Sequence, residues 1–183
     1  MEFTQLLEKR RSIRKYDSSK KVTSEQINEV INAAIQAPSW KNSQTARYYA
    51  IVSPDRIEEF CSKCLPERNA EKAIGAALIV CTFVSDVAGF SPEKVADNEC
   101  GNGWGFYDMG LHNANLLLKA AELGLGTLVM GIRDGDSIRE MLSIPDTETI
   151  GPVIAIGYPD VEPAKPVRKT VEEILTTVKN SMS

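Results

Sequence analysis

A chain of 183 residues is the size of one domain, and 43% apolar with 25% charged residues matches a folded globular protein rather than a disordered one. The formal net charge of −4 leaves no basic field to hold nucleic acid by counterion release. His112 is the single histidine, which argues against zinc sites and Ser-His-Asp machinery, so the reactive group is expected from outside the chain.

In chain order, Phe3 to Lys9 reads as a short amphipathic helix, followed by the basic run Lys9-Arg10-Arg11-Ser12-Ile13-Arg14-Lys15. Thr23 and Gln26 form a capping box. The helix they open carries Ile27, Val30, Ile31, Ala34 and Ile35 at helical spacing until Pro38 closes it. Tyr48 to Val52 reads as a strand, Ser53 and Pro54 open a helix to about Cys64, and Ala76 to Val84 is a second strand. A loose segment from Ser85 to Gly105 precedes a long helix, capped by Asp108 and ending at Gly124. Thr127 to Met130 reads as a strand, Asp136 to Leu142 as a short helix and Val153 to Gly157 as a strand. Pro159 to Arg168 is extended, and Val171 to about Lys179 is a final helix. This loose alternation predicts an α+β or α/β domain around a small central sheet.

The first residues lack the apolar core of a signal peptide, and the longest apolar stretch, Ala73 to Val84, is too short to span a bilayer. A cytoplasmic protein without a membrane partner is the expectation. Of Cys61, Cys64, Cys81 and Cys100, only the first two share a redox or metal spacing. With no second pair and no histidine pair, reduced thiols are the simpler reading.

Four segments could carry chemistry, each beside a plainer alternative. Arg10, Arg11, Ser12, Arg14 and Lys15 offer guanidinium and hydroxyl donors to an anion such as a cofactor phosphate, or are a solvated cluster at a helix end. Ala37-Pro38-Ser39-Trp40-Lys41-Asn42-Ser43-Gln44 could meet the hydroxyls or ring edge of a flavin, or be a polar turn. Gly124 to Ile132 places an apolar strand with Gly131 where backbone can approach a ligand, or is a plain connection. Lys165-Pro166-Val167-Arg168-Lys169 could close on the same phosphate, or be a basic linker. Gly101, Gly103 and Gly105 have the wrong spacing for a dinucleotide fingerprint and read as a lid or interface loop with Trp104 and Phe106. His112, without metal-ligand neighbours, reads as packed or surface histidine.

These segments, in this order, resemble the nitroreductase family of FMN-dependent enzymes from about Phe3 to Ile174. The likeness rests on Arg10 to Tyr16, on Ala37-Pro38-Ser39 with Asn42-Ser43-Gln44, and on Asp108 with the helix to Ala121. Glu122 to Thr127, and Arg168-Lys169 with Glu172-Glu173-Ile174, complete it. The resemblance implies a single α+β domain over residues 1–183, with a small, mostly antiparallel sheet flanked by helices. It also implies an intertwined homodimer holding FMN at its interface, with segment 159–183 packed against the partner. Arg10, Ser12 and Arg168 would hold the phosphate, with Arg11 close by and Arg14 nearer the ring. Pro38, Ser39, Trp40, Asn42 and Gln44 would come from the partner subunit, and Val129, Met130 and Gly131 would cover the dimethylbenzene and N5 side. The chemistry implied is hydride transfer from NADH or NADPH through flavin N5 to a nitroaromatic, quinone or similar small acceptor, with no metal and no side-chain nucleophile. Reductive dehalogenation, flavin destruction or flavin binding without turnover are the alternatives on the same fold. Thr45 and Ala46 stand where the family often has proline and an aromatic residue.

Overall fold

The computed structural model describes residues 2–178. Its frame is a sheet of β1 (Ala46–Ile51), β2 (Ala77–Val84), β3 (Gly126–Met130) and β4 (Glu148–Gly157), antiparallel throughout in the order β1-β2-β4-β3. The run ALIVCTFV makes β2 a central strand, because apolar residues at every position but Thr82 need both faces covered. Its alternate side chains go to two cores: Leu78 and Val80 to one, Ala77, Ile79, Cys81 and Phe83 to the other.

The first core is closed by α3 (Pro54–Cys64), α4 (Glu67–Ala73) and α6 (Gly135–Leu142), the second by α2 (Ser24–Ala34) and α5 (Gly103–Glu122). In α2 the capping box forms as expected, Gln26 N donating to Thr23 Oγ1 at 3.2 Å, and Ile27, Val30 and Ala34 face inward. The fold is the expected α+β arrangement.

Three expectations change. Asp108 is not a cap: α5 begins five residues earlier at Gly103, so the run Gly101 to Gly105 starts a helix. Gly105 is glycine because the Phe83 ring lies against it; a Cβ there would stand 2.3 Å from Cδ2 and Cε2. β4 starts at Glu148 rather than Val153, passing through Pro152. Ile150 faces Thr82 while Val153 faces Val80, so Gly151 and Pro152 lie at a bulge where a ladder donor is dispensable. The last helix, α7 (Val171–Ile174), is one turn; Lys179 lies outside the described residues.

From Pro159 to Val178, apart from the single turn of α7, the chain runs without regular structure over the surface, leaving Val167, Val171, Ile174, Leu175 and Val178 exposed. Among the described residues no helix is long and apolar enough to cross a membrane.

Candidate functional site

The basic run lies along the edge of β3. Ile13 N donates to Thr127 O at 2.9 Å and Ser12 bridges Thr127, an approach that Gly126 permits. A Cβ on Gly126 would stand 2.4 Å from Ile13 Cγ1. Tyr16 is buried and donates its hydroxyl to Ile13 O at 3.1 Å, fixing the far end of the run, where it also bridges Pro159.

From that bridge the C-terminal segment runs back alongside. Asp160 N donates to Lys15 O at 3.1 Å, the Lys15 and Asp160 side chains pair at 2.8 Å, and Lys165 pairs with Glu8. The two basic clusters, from opposite ends of the sequence, are thereby drawn together. Partial burial, then the charges of Arg11 and Arg168, hold the Arg10 guanidinium below its ordinary pKa. Like charges gathered this way favour an anion among them. A cleft of about 390 Å³ opens at this point, lined among others by Lys9, Arg10, Arg11, Thr127, Pro159 and Glu162. Glu8, a carboxylate close to Arg11, is engaged by Lys165. Arg14 is exposed and donates to Ser12 O at 3.3 Å.

Along β3 the alternation of side chains divides the expected ligand-facing group. Val129 and Gly131 are exposed, whereas Met130 is buried in the core with Ile138 and Cys64, so its side chain is withheld from a ligand. Just beyond, Asn69 of α4 donates its side-chain amide to Ile132 O at 2.8 Å. Sequence reasoning missed this anchor, because ERNAEKA has few apolar residues to mark it as a packed helix.

The Pro38 to Gln44 loop is built elsewhere. Trp40 begins a single 3₁₀ turn (Trp40–Asn42), and Lys41, Asn42 and Gln44 all hold left-handed φ, at 46°, 56° and 49°. Three such non-glycine residues in four positions are backbone strain of the kind that gathers at functional sites. Ser39 Oγ accepts from Gln44 N at 3.0 Å, and the buried Asp108 carboxylate accepts from Trp40 N at 2.8 Å. The Trp40 ring packs on Trp104 with centroids 4.6 Å apart and the planes tilted by 44°, and Trp104 Nε1 donates to Asn98 Oδ1 at 2.9 Å. Lys41 pairs with Asp97 at 3.2 Å. Residues 85–105 therefore clamp this loop rather than hang free. Trp40 Nε1, Ser43 Oγ, Thr45 Oγ1 and both ring nitrogens of His112 are buried here without partners among the described residues.

Within one chain these halves stay apart. The loop is tied to Asp108 near the start of α5, while the arginine cleft includes Ala121 near its end. At 1.5 Å per residue, Asp108 and Ala121 are about 20 Å apart along the axis. The structure brings Arg10, Arg11 and Arg168 near one another, with Ser12 against Thr127 at the start of β3, the strand that carries Val129. It does not bring Pro38, Ser39, Trp40, Asn42 or Gln44 to them. Burial quiets three of the four thiols, pushing Cys64 up to about 11 and Cys81 up to about 12 and raising Cys61. No group of three His, Cys, Asp or Glu suited to a metal ion is found among the described residues.

Residues 7–158 match the model of the Nitroreductase family. The chain belongs to the nitroreductase family. A Methanothermobacter thermautotrophicus protein provisionally named NADH dehydrogenase/NAD(P)H nitroreductase is 28% identical over 167 residues, covering 89% of this chain and 80% of its own. An NADPH-flavin oxidoreductase of Vibrio harveyi is 27% identical, covering 89% of this chain and 70% of its own. Among solved structures, a nitroreductase family protein of Clostridium difficile superposes with a TM-score of 0.78 at 26% identity, over 96% of this chain and 98% of the other.

Proposed function

We propose that the chain is an FMN-dependent oxidoreductase, working as a homodimer, that takes hydride from NADH or NADPH and passes it to a small electron-poor acceptor such as a nitroaromatic or quinone. The observation that carries this is that Arg10 and Arg11 line one cleft, with Arg168 brought near enough for its charge to act on Arg10. Names among its relatives support it: one is an NADPH-flavin oxidoreductase, and another solved relative, 26% identical, is an oxidoreductase containing FMN. The donor set suits the cofactor, since a phosphate dianion accepts bidentate guanidinium bonds and a serine hydroxyl.

Bound FMN supplies the hydride carrier; the rest falls to this chain. Arg10, Ser12 and Arg168 grip the phosphate, with Arg11 adding field. Arg14, exposed at the edge of the run, is the cation for the ring side, and Val129 with the Gly131 backbone forms one wall. A two-fold pairing of α5 helices running antiparallel would set the Pro38 to Gln44 loop of one subunit beside the arginines of the other. That closes the roughly 20 Å gap along α5, and it gives the exposed Phe106 and Tyr107 and the apolar C-terminal arm a surface to cover. Reductant and acceptor would use the same space beside this wall in turn, a ping-pong sequence. Anaerobic mixing of the FMN-loaded protein with each nicotinamide tests the reading. Bleaching by NADH or NADPH, with colour restored by a quinone, is expected. A bound flavin that neither nucleotide bleaches would make this a flavin-binding protein instead.

A further inference from the structure

On the opposite side of α4 from Asn69, a cleft of about 570 Å³ opens between α3 and α4, beside the start of β2. It shares no lining residue with the arginine cleft. Pro54, Ile57, Glu58 and Cys61 stand at i, i+3, i+4 and i+7 along α3; Glu67, Ala70, Glu71 and, just past the helix end, Ile74 repeat that spacing along α4. Two helix faces thus look at each other across the space. The short side chains of Ala70, Ala73, Ala76 and Ala77 leave it unfilled. Its volume lies within the roughly 300–1,000 Å³ of pockets that take small organic ligands.

The lining is apolar but its charge is one-sided. Glu58, Glu67 and Glu71 face a single cation, Lys21, and none of the three carboxylates makes an ion pair among the described residues. The basic residues of α3 do not offset them: Arg56 and Lys63 are both committed to Glu59, at 2.6 and 2.8 Å. The three carboxylates are exposed at the rim of the apolar wall, where they favour an opposite charge and repel a like one.

We propose that this cleft binds a lipophilic organic cation, its apolar body on the alanine floor and its charged head among Glu58, Glu67 and Glu71. The site is independent of the flavin reading, and the test reads binding rather than turnover. Cys61 lines the wall half-buried, while Cys64 and Cys81 are buried and Cys100 is exposed. In a Cys100→Ser background, N-ethylmaleimide labelling therefore reports on Cys61. Octyltrimethylammonium at saturation should slow labelling about tenfold, and octanoate of the same tail length should not. Glu58→Gln with Glu71→Gln should weaken the cation about tenfold, equivalent to about 1.4 kcal/mol. Ala70→Leu, which fills the floor, should remove protection while flavin binding is unchanged. Equal protection by octanoate, or none by the cation, would overturn the proposal. So would a Cys61 that is unreactive until the protein is diluted, since a second copy would then be what covers the cleft.

Discussion

Replacing Gly126 with alanine should act on stability and on the phosphate cleft together. The new Cβ would stand 2.4 Å from Ile13 Cγ1 and 2.8 Å from Ile13 Cβ, both too close to be tolerated. Ile13 cannot swing aside: it is buried, β-branched and tied through its backbone to Thr127 at 2.9 Å. The strain must push the run Arg10 to Arg14 off the edge of β3. Overpacking of this kind costs about 1–3 kcal/mol. For a chain of this size each kcal/mol lowers Tm by about 2–4 °C, so a 2 kcal/mol cost gives about 4–8 °C. Thermal melting of the flavin-free protein measures the first effect, and fluorescence titration with FMN measures loss of the cleft. Ile13→Ala removes Cγ1 and should cost about 2–5 kcal/mol by itself. The double variant should fall short of the sum by about 1 kcal/mol or more, because the clash is shared. A Gly126→Ala protein that melts and binds FMN like the parent would refute the close-approach argument.

Other outcomes follow from local geometry. His112 is buried, and burial pushes its pKa below the ordinary 6.5 while Asp108 partly opposes the shift. The unfolded chain therefore takes up the proton first, and stability should fall as pH drops from about 7 through the depressed folded value. Urea melts of His112→Leu should lose that slope; a parent protein flat across the window would contradict the reading. Thr23→Ala removes the cap accepting Gln26 N and should cost about 1 kcal/mol, read as a drop of about 2–4 °C in Tm. Asp108→Ala strands the Trp40 backbone N–H and should cost about 1–3 kcal/mol, with altered tryptophan fluorescence as the Trp40–Trp104 contact loosens. An unchanged emission spectrum would show that Asp108 does not hold the loop.

What could be read from sequence alone was what short-range chemistry decides. α1 (Phe3–Lys9), α2 and α3 were legible because caps, apolar spacing and a proline mark their ends within a few residues. The start of α5 was hidden because glycine is a poor helix former, and the reason for Gly105 is a contact with Phe83, distant in sequence. Pro152 concealed half of β4, since the bulge that tolerates it exists only once β2 is paired. In the site, the two basic clusters were visible as composition. Their convergence depends on Tyr16 and Lys15 tying down Pro159 and Asp160, which no local pattern encodes. That Met130 faces inward and Val129 outward is a question of register, which one residue of slip would reverse. The distance from the Pro38 to Gln44 loop to the arginines is a property of α5 as a rod, visible only when the helix is placed.

The central claim is that Arg10 and Arg168 form the grip for a flavin phosphate, and comparing FMN with riboflavin tests it most directly. Equilibrium fluorescence titration should show the parent protein preferring FMN by about 100-fold, as expected for two charge-assisted bonds at about 1.5 kcal/mol or more each. In Arg10→Gln with Arg168→Gln that preference should collapse toward unity while riboflavin affinity is unchanged. A parent protein that binds both flavins equally, or a double variant that keeps its preference, would contradict the account.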